Sequence, residues 1–228
     1  MAAAGLICGL LFVFLYSRKL KLDAEAAAYI YTFGFLGCGV GAKLLYIAVT
    51  FRQIIADIKA LGWFPALMAH LQGGLVFYGG LLGAIAAAFI TARYLKCDIT
   101  RYYPALVPGI AIMAGFGRIG CFFAGCCYGR DGIPVQLYEA AFEFVMVFVL
   151  VILSRAKPSV APRLLSLYCA LYATFRFCLE FYRADEGRGI YGPFSTSQWI
   201  SIAIIIVTAV NEVLNKRGKQ EKKPPAMV

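Results

Sequence analysis

The most chemically distinctive stretch of the chain is residues 117–130, which read GRIGCFFAGCCYGR. It contains two arginines, three cysteines and four glycines inside a chain that is otherwise mostly apolar. An arginine guanidinium can bind two phosphate oxygens at once, and glycine lets a ligand approach the backbone closely. The stretch therefore predicts a phosphate-binding loop around Arg118. A lone Gly-Arg pair is also typical of a helix end whose arginine reaches towards water.

A second group of charges, Arg176, Glu180 and Arg183, is spaced i, i+4, i+7. On a helix this spacing places all three side chains on one face. Two interpretations remain open. The group is either a structural ion pair at the end of a membrane span, or a glutamate that orients one arginine while the other binds phosphate.

Two more glutamates, Glu139 and Glu143, are one helical turn apart and follow Gln136 and Tyr138. A carboxylate at membrane depth either anchors hydrogen-bond donors or takes part in chemistry. Both roles remain open for Glu139, and anchoring is favoured for Glu143. Tyr78 offers a phenol in a glycine-rich segment, where ordinary packing between helices is the alternative.

The clustered cysteines, Cys121, Cys126 and Cys127, lack C-x-x-C spacing, and the only histidine of the chain is His70. The sequence therefore predicts no metal site and no cofactor. Three interpretations of the thiols remain: a disulfide on an oxidising face, a thiolate activated by a nearby arginine, or small packing residues.

The composition places these groups in a membrane protein. The 228 residues are 61% hydrophobic and 15% charged, with a mean hydropathy of +0.76, whereas soluble domains carry about 25% charged residues. Each crossing needs about 20 apolar residues, so the spans leave no room for a soluble domain. We predict one transmembrane domain over residues 1–214 and a basic tail over 215–228. The net charge of +10 lies mostly in short connections, so nucleic-acid binding is not expected.

The predicted fold is an all-α polytopic bundle of about seven transmembrane helices. A segment at 51–68 mixes charges with aromatic residues and is expected to lie at the membrane interface. The prolines of 103–116 predict a broken or partly inserted helix. The seven predicted spans are residues 2–16, 24–49, 70–92, 103–116, 134–153, 164–182 and 199–214.

The distribution of basic residues predicts the orientation. One set of connections, which includes the tail, holds 14 of the 22 Lys and Arg residues and is therefore expected to be cytoplasmic. The amino terminus then faces outwards, together with Arg118, Arg130, Arg176, Arg183 and Arg188. Arginines on the unfavoured face need a reason, and an anionic lipid phosphate is a natural partner.

The motifs together resemble the bacterial prolipoprotein diacylglyceryl transferases. The signature G-R-x-x-N-F-x-N-x-E-x-x-G-R is similar to 117–130, and the glycine-rich GG-x-x-(F/Y)-H-GG-x-x-G element is similar to 73–83. A P-x-Q-L-Y-E element is found at 134–139 and an S-x-x-Q element at 195–198. A further element is carried by Phe175, Arg176, Glu180, Phe181, Arg183 and Asp185. Where the family has two asparagines, a glutamate and a histidine, this chain has Cys121, Ala124, Cys126 and Tyr78.

The resemblance implies transfer of a diacylglyceryl group from phosphatidylglycerol, an anionic phospholipid, to the lipobox cysteine of a prolipoprotein signal peptide. The expected location is the bacterial inner membrane, with the site towards the outer face. We predict catalytic roles for Arg118, Arg183, Tyr78, Cys121 and Glu139. Substrate-binding roles are predicted for Gly117, Gly129, Arg130, Gly79, Gly80, Gln136, Tyr138, Arg176, Glu180 and Gln198.

Three alternatives remain at this stage. The replaced positions favour a related phospholipid-dependent transferase with a different acceptor. A lipid or solute transporter could use the same bundle, although the sequence has no internal repeat of the kind common in transporters. Redox regulation through the clustered cysteines is the third.

Overall fold

The computed structural model describes residues 1–74, 76–183 and 190–221, and these are almost entirely helical. Asp185, Arg188 and residues 222–228 of the predicted tail lie outside the described residues. The helices are α1 (Ala2–Lys19), α2 (Ala24–Leu61), α3 (Trp63–Gln72), α4 (Phe77–Tyr94), α5 (Tyr103–Phe123), α6 (Val135–Ala156), α7 (Leu164–Leu179) and α8 (Thr196–Glu221). A two-stranded antiparallel hairpin pairs β1 (Ile190–Tyr191) with β2 (Phe194–Ser195).

The described helices agree with an all-α polytopic membrane protein. Within the described residues, six stretches are long and apolar enough to cross a membrane: Ala2–Lys19, Ala24–Leu61, Ile99–Phe123, Val135–Ala156, Pro158–Tyr182 and Thr196–Leu214. The count of seven spans and the orientation of the termini stay predictions.

The chain forms two compact units, one of residues 10–106 and one of residues 1–9 with 107–228. The single domain over 1–214 stays a prediction, and each unit is described by itself below. The first unit contains α2, α3 and α4, and the second contains most of α5 and all of α6, α7 and α8.

In the first unit α2 is much longer than expected. The Asp23 side chain accepts hydrogen bonds from the Glu25 and Ala26 N–H groups and caps the helix start. The helix then continues to Leu61 and ends at Gly62, whose φ of +85° suits glycine. The segment predicted at 51–68 is thus not a separate element, because its first part extends α2 and the rest begins α3, while its location at the membrane interface stays a prediction.

Glycines let α2 and α4 meet backbone to backbone. A β-carbon on Gly79 would lie 2.3 Å from the Gly41 carbonyl oxygen, and one on Gly83 would lie 2.2 Å from the Gly37 oxygen. No side chain fits at such distances. Close packing of α2 against α4 therefore accounts for the glycine at position 79.

In the second unit α5 is continuous from Tyr103 to Phe123, so the broken helix predicted at 103–116 is wrong. Pro108 lies inside it and is buried. Proline removes one backbone donor, but neighbouring groups can satisfy the freed carbonyl in a membrane helix. Half of the predicted 117–130 loop is consequently helical, and Arg118 projects from a helix instead of a loop.

The ends of α7 and α8 also differ from expectation. The α-helical part of α7 stops at Leu179 and tightens to a 3₁₀ turn over Glu180–Tyr182. At the other end of the chain, α8 continues to Glu221, so the tail predicted from residue 215 is helical over its first part.

Candidate active site

A buried carboxylate in α6 organises the site. The Glu139 side chain is 0% exposed and accepts contacts from two arginines on two other helices. Arg118 Nε of α5 lies 2.9 Å from Glu139 Oε2, and Arg176 Nη1 of α7 lies 3.1 Å from Oε1. One glutamate thus joins α5, α6 and α7.

The second carboxylate, Glu180, extends this network towards α8. Its Oε2 lies 3.0 Å from Arg176 Nη2, and its Oε1 accepts a hydrogen bond of 2.9 Å from the Ser195 hydroxyl. Ser195 is held in turn by Gln198, because the Ser195 N–H donates to Gln198 Oε1 over 3.0 Å. The predicted residues Arg176, Glu180 and Gln198 therefore belong to one connected group.

Arg183 reaches the same place by another route. The structure contradicts the prediction that it shares a helix face with Arg176, because its backbone is extended, with φ −82° and ψ 146°. Its position comes from an antiparallel bridge to Gly129 in the α5–α6 connection. Arg183 is 6% exposed, and its Nη1 lies 4.0 Å from Glu139 Oε2.

Gly129 makes that bridge possible. A β-carbon there would lie 2.7 Å from the Tyr182 carbonyl oxygen and 2.7 Å from the Val135 side chain. The Gly129 N–H also donates to the Ile133 oxygen over 2.8 Å. The absence of a side chain thus allows the connection to pass against the end of α7.

The described ion pairs of this group contain more cations than anions. Among the residues that the structure describes, the ion pairs of this group join three guanidinium groups, of Arg118, Arg176 and Arg183, to two carboxylates, of Glu139 and Glu180. Burying ions is costly, and their mutual attraction repays the cost only with good geometry. An anionic group entering the site would neutralise the excess, and phosphate matches the fork of a guanidinium.

Gln136, on the same helix as Glu139, binds the α5–α6 connection. The side chain is 2% exposed, and its Nε2 donates to the Cys126 carbonyl over 2.6 Å. Among the residues that the structure describes, Gln136 Oε1 has no hydrogen-bond partner. It is an acceptor inside the unit that a ligand hydroxyl could use.

The structure brings the Cys121, Cys126 and Cys127 thiols together, with all three sulfurs within 4.8 Å of one another. None of the three is in a disulfide. The pKa of the Cys126 thiol is raised above its ordinary value, first by its hydrogen bond with Cys127 and then by desolvation and neighbouring sulfur charge. This direction is opposite to that of an activated thiolate.

Some predicted residues take part in none of the described ion pairs of the buried network. Arg130 is exposed, and so is Tyr138 at 55%. A β-carbon on Gly117 would meet no described atom within 4 Å, so the helix opens into free space there. Tyr78, Gly79 and Gly80 belong to the first unit, where Tyr78 is 40% exposed.

Sequence reasoning did not find a polar cluster in the first unit. His70 Nε2 donates to Asp57 Oδ2 over 2.9 Å, and its Nδ1 then accepts from the Tyr46 hydroxyl, also over 2.9 Å. Lys43 Nζ donates to the carbonyls of His70, Leu71 and Gly73. These residues are scattered along the chain, and the unexpected length of α2 brings them together.

Comparison with known proteins decides the family. The family model described as prolipoprotein diacylglyceryl transferase matches residues 1–213 of the 228. The chain belongs to this family. Its resemblance through five separate motifs is therefore confirmed, and the family is one of transferase enzymes.

Several bacterial members of the prolipoprotein diacylglyceryl transferase family are similar to this chain over most of its length. A phosphatidylglycerol–prolipoprotein diacylglyceryl transferase of Clostridium tetani is 32% identical over 91% of this chain and 88% of its own length. One of Clostridium perfringens, numbered 2, is 32% identical over 80% of this chain and 76% of its own. One of Vibrio cholerae is 30% identical over 85% of this chain and 76% of its own.

Proposed function

We propose that this protein transfers the diacylglyceryl group of phosphatidylglycerol to the lipobox cysteine thiol of prolipoproteins. The named activity of the relatives supports both substrates. The observation that carries the proposal in this chain is the buried Glu139, which holds Arg118 and Arg176 with Arg183 close by. A site of this kind suits a lipid phosphate at the end of a membrane span.

In the proposed reaction the thiol sulfur forms a bond to the carbon of the diacylglyceryl group that carries the phosphate ester. The bond from that carbon to the ester oxygen breaks, and its electron pair leaves with glycerol phosphate. The thiol proton passes to a base or to the departing phosphate. Two demands follow: the leaving phosphate must be stabilised as its charge grows, and the thiol must be activated.

The arginines meet the first demand. Stabilisation of developing charge works best when the donors are already fixed, because nothing then has to reorganise during the reaction. Glu139 fixes Arg118, and the bridge to Gly129 fixes the backbone of Arg183. We assign these two arginines to the leaving phosphate and Glu139 to their positioning. Arg176 and Glu180 support them through the contact to Ser195.

For the second demand the sequence alone predicts Tyr78, a residue of the first unit. It occupies the position of the histidine in the glycine-rich family element, and a phenol can orient a thiol by a hydrogen bond. Gln136 contributes its buried Oε1 to binding of the polar headgroup. Cys121 stands where the family signature has asparagine, and we assign it to the edge of the same site.

We place the protein in the bacterial inner membrane with this site towards the outer face, as the distribution of basic residues predicts. The prolipoprotein signal peptide would then arrive from the same membrane. Cysteine-accessibility labelling of intact cells tests the orientation. In the variant Arg130→Cys, labelling of residue 130 by a membrane-impermeant reagent would support an outward-facing site. Labelling of this residue only after lysis would contradict that orientation.

The decisive experiment incubates the purified protein with headgroup-labelled phosphatidylglycerol and a lipobox peptide. We expect a thioether-linked lipid on the peptide and an equal amount of released glycerol phosphate. A peptide in which serine replaces the cysteine is the matched control and should give neither product. If cysteine peptide and phospholipid both stay unchanged, the proposed function is wrong.

A related transferase with another acceptor is the second candidate. The observation that favours it is the set of replaced positions, since Cys121, Ala124, Cys126 and Tyr78 stand where the family pattern has ionisable or amide side chains. Glycerol phosphate release without any lipidated peptide would support this candidate. Flux of lipid in liposomes without covalent turnover would instead indicate a transporter.

A further inference from the structure

The end of α5 brings two thiols together by its backbone geometry. The Gly125 N–H donates to the Phe122 carbonyl and the Cys126 N–H to the Cys121 carbonyl, each over 3.1 Å. Gly125 has a φ of +67°. This pattern is a Schellman ending, which brings the second residue beyond the helix back over the last turn. Cys126 therefore lies against Cys121.

The third thiol belongs to a residue with a strained backbone conformation. Cys127 has a φ of +62°, and a residue with a β-carbon loses about 1–2 kcal/mol in this left-handed region. The turn is also tied to α6, because Gln136 donates to the Cys126 carbonyl over 2.6 Å. Strained backbone held by its surroundings is typical of functional sites.

The three thiol groups of Cys121, Cys126 and Cys127, called the tripod below, are almost as close together as the ligands of a metal ion. All three sulfurs lie within 4.8 Å of one another. With metal–sulfur bonds of about 2.3 Å, three thiolates around one ion would be about 3.8–4.0 Å apart. Small side-chain rotations would close that difference, with no movement of the helices.

The donor set selects the kind of ion. In the described parts of the chain, these cysteines are the one group of three or more His, Cys, Asp or Glu side chains able to share an ion. Thiolates prefer soft cations, and hard cations such as Mg²⁺ and Ca²⁺ require oxygen ligands. We propose that Cys121, Cys126 and Cys127 form a three-thiolate site for one thiophilic d¹⁰ cation, Zn²⁺ or Cu⁺.

The exposure of Cys126 and the charges around the three thiols are compatible with a bound cation. Cys126 is exposed, so an ion can enter from outside the fold. Three thiolates carry three negative charges, which the cation offsets in part. Arg118 is one helical turn before Cys121 and close enough to interact with it electrostatically. An occupied site would therefore also hold the end of the helix that carries Arg118.

The test uses the full-length protein in detergent, reduced and freed of metal. Zn²⁺ is titrated in competition with a chromophoric chelator, and Cu⁺ is titrated anaerobically against a Cu⁺-specific chelator. The expected result in at least one arm is one ion per chain. Co²⁺ added as a spectroscopic probe should give sulfur-to-metal charge-transfer absorption. No binding in either arm would overturn the proposal.

Single substitutions locate the ion. Cys121→Ser, Cys126→Ser and Cys127→Ser should each weaken binding by at least about 100-fold, since loss of even an outer-shell partner costs 10- to 100-fold. Cys178→Ser is the matched control, because Cys178 is also exposed and free but lies in α7. Equal loss in the control, or unchanged binding in all three cluster variants, would place the ion elsewhere and contradict the site.

A measurement on the unsubstituted protein covers the case in which the variants do not fold. The bound ion should protect these three cysteines from alkylation, as read by mass spectrometry, while Cys178 reacts at the same rate with and without metal. Failure to protect the three thiols would overturn the site. Isolation of the protein with a disulfide within the cluster, together with no metal binding after reduction, would assign the tripod to redox pairing instead.

Discussion

The two units each contain a polar cluster, and the two clusters satisfy their charges in different ways. In the first unit Lys43 donates to three backbone carbonyls and His70 joins Asp57 to Tyr46, so every donor of the ammonium group has a fixed partner. In the Glu139 cluster of the second unit, as far as the described residues show it, three guanidinium groups share two carboxylates.

The difference separates a structural role from a binding role. A cluster closed by its own backbone gains nothing from a ligand, and it holds the end of α3 against α2. A cluster with excess charge is completed by an anion from outside. Substitutions in the first cluster should therefore change stability alone, whereas substitutions of arginine in the second should change catalysis more than stability.

The largest effect on stability and activity is expected for Glu139→Gln. It leaves three arginines without their shared carboxylate, and breaking a buried ion pair in this way costs about 3–5 kcal/mol. We expect a large fall in the melting temperature in detergent, together with loss of transferase activity.

Glu143→Gln is its matched control. Glu143 is one turn further along α6 and equally buried, but it accepts hydrogen bonds only from the Tyr168 hydroxyl among the contacts described, at 2.9 and 3.1 Å. Glutamine can still accept one, so the cost should be about 1 kcal/mol. Equal melting temperatures for the two variants would contradict the central role of Glu139.

Arg118→Lys should affect catalysis most selectively. Lysine keeps the positive charge beside Glu139, so stability should change little, but it lacks the planar fork that can hold a carboxylate and a phosphate together. We expect transferase activity to fall by about 100- to 1,000-fold, the usual effect of removing one donor to developing charge.

The control for this variant is Arg101→Lys, at an exposed arginine in the first unit. It should keep full activity. If Arg118→Lys had the wild-type rate, or if Arg101→Lys lost as much activity, the proposed contact of Arg118 with the leaving phosphate would be contradicted.

Two glycines provide a sharper test of geometry. Gly129→Ala places a β-carbon 2.7 Å from the Tyr182 oxygen. Such overpacking costs about 1–3 kcal/mol and should displace Arg183, so both stability and activity fall. Gly117→Ala meets no described atom within 4 Å and improves helix propensity by about 1 kcal/mol. It should raise the melting temperature slightly.

The activity of Gly117→Ala then tests whether substrate lies against residue 117. A fall in activity in this stable variant would mean that substrate fills the open space beside Arg118. Unchanged activity would remove Gly117 from the predicted substrate-binding residues.

The sequence predicted the family, the helical class and most members of the Glu139 cluster, because motif spacing and charge at membrane depth are local signals. It did not predict that Arg183 leaves the helix, since that position depends on a bridge to Gly129 more than 50 residues earlier in the chain. The close approach of the three thiol groups was not predicted for a related reason. Their spacing matches no metal motif, and their approach depends on left-handed backbone at Gly125 and Cys127.

The smallest effect is expected for His70→Gln in the first unit. Glutamine can replace one of the two hydrogen bonds that His70 makes to Asp57 and Tyr46, so the cost should be about 1 kcal/mol. The melting temperature should fall by a few degrees, and kcat per folded molecule should not change. Tyr46→Phe removes one bond of the same cluster and should give a similar shift. A lower kcat with an altered pH profile in His70→Gln would instead place this cluster in the reaction, because a histidine that moves the catalytic proton controls the rate through its own titration.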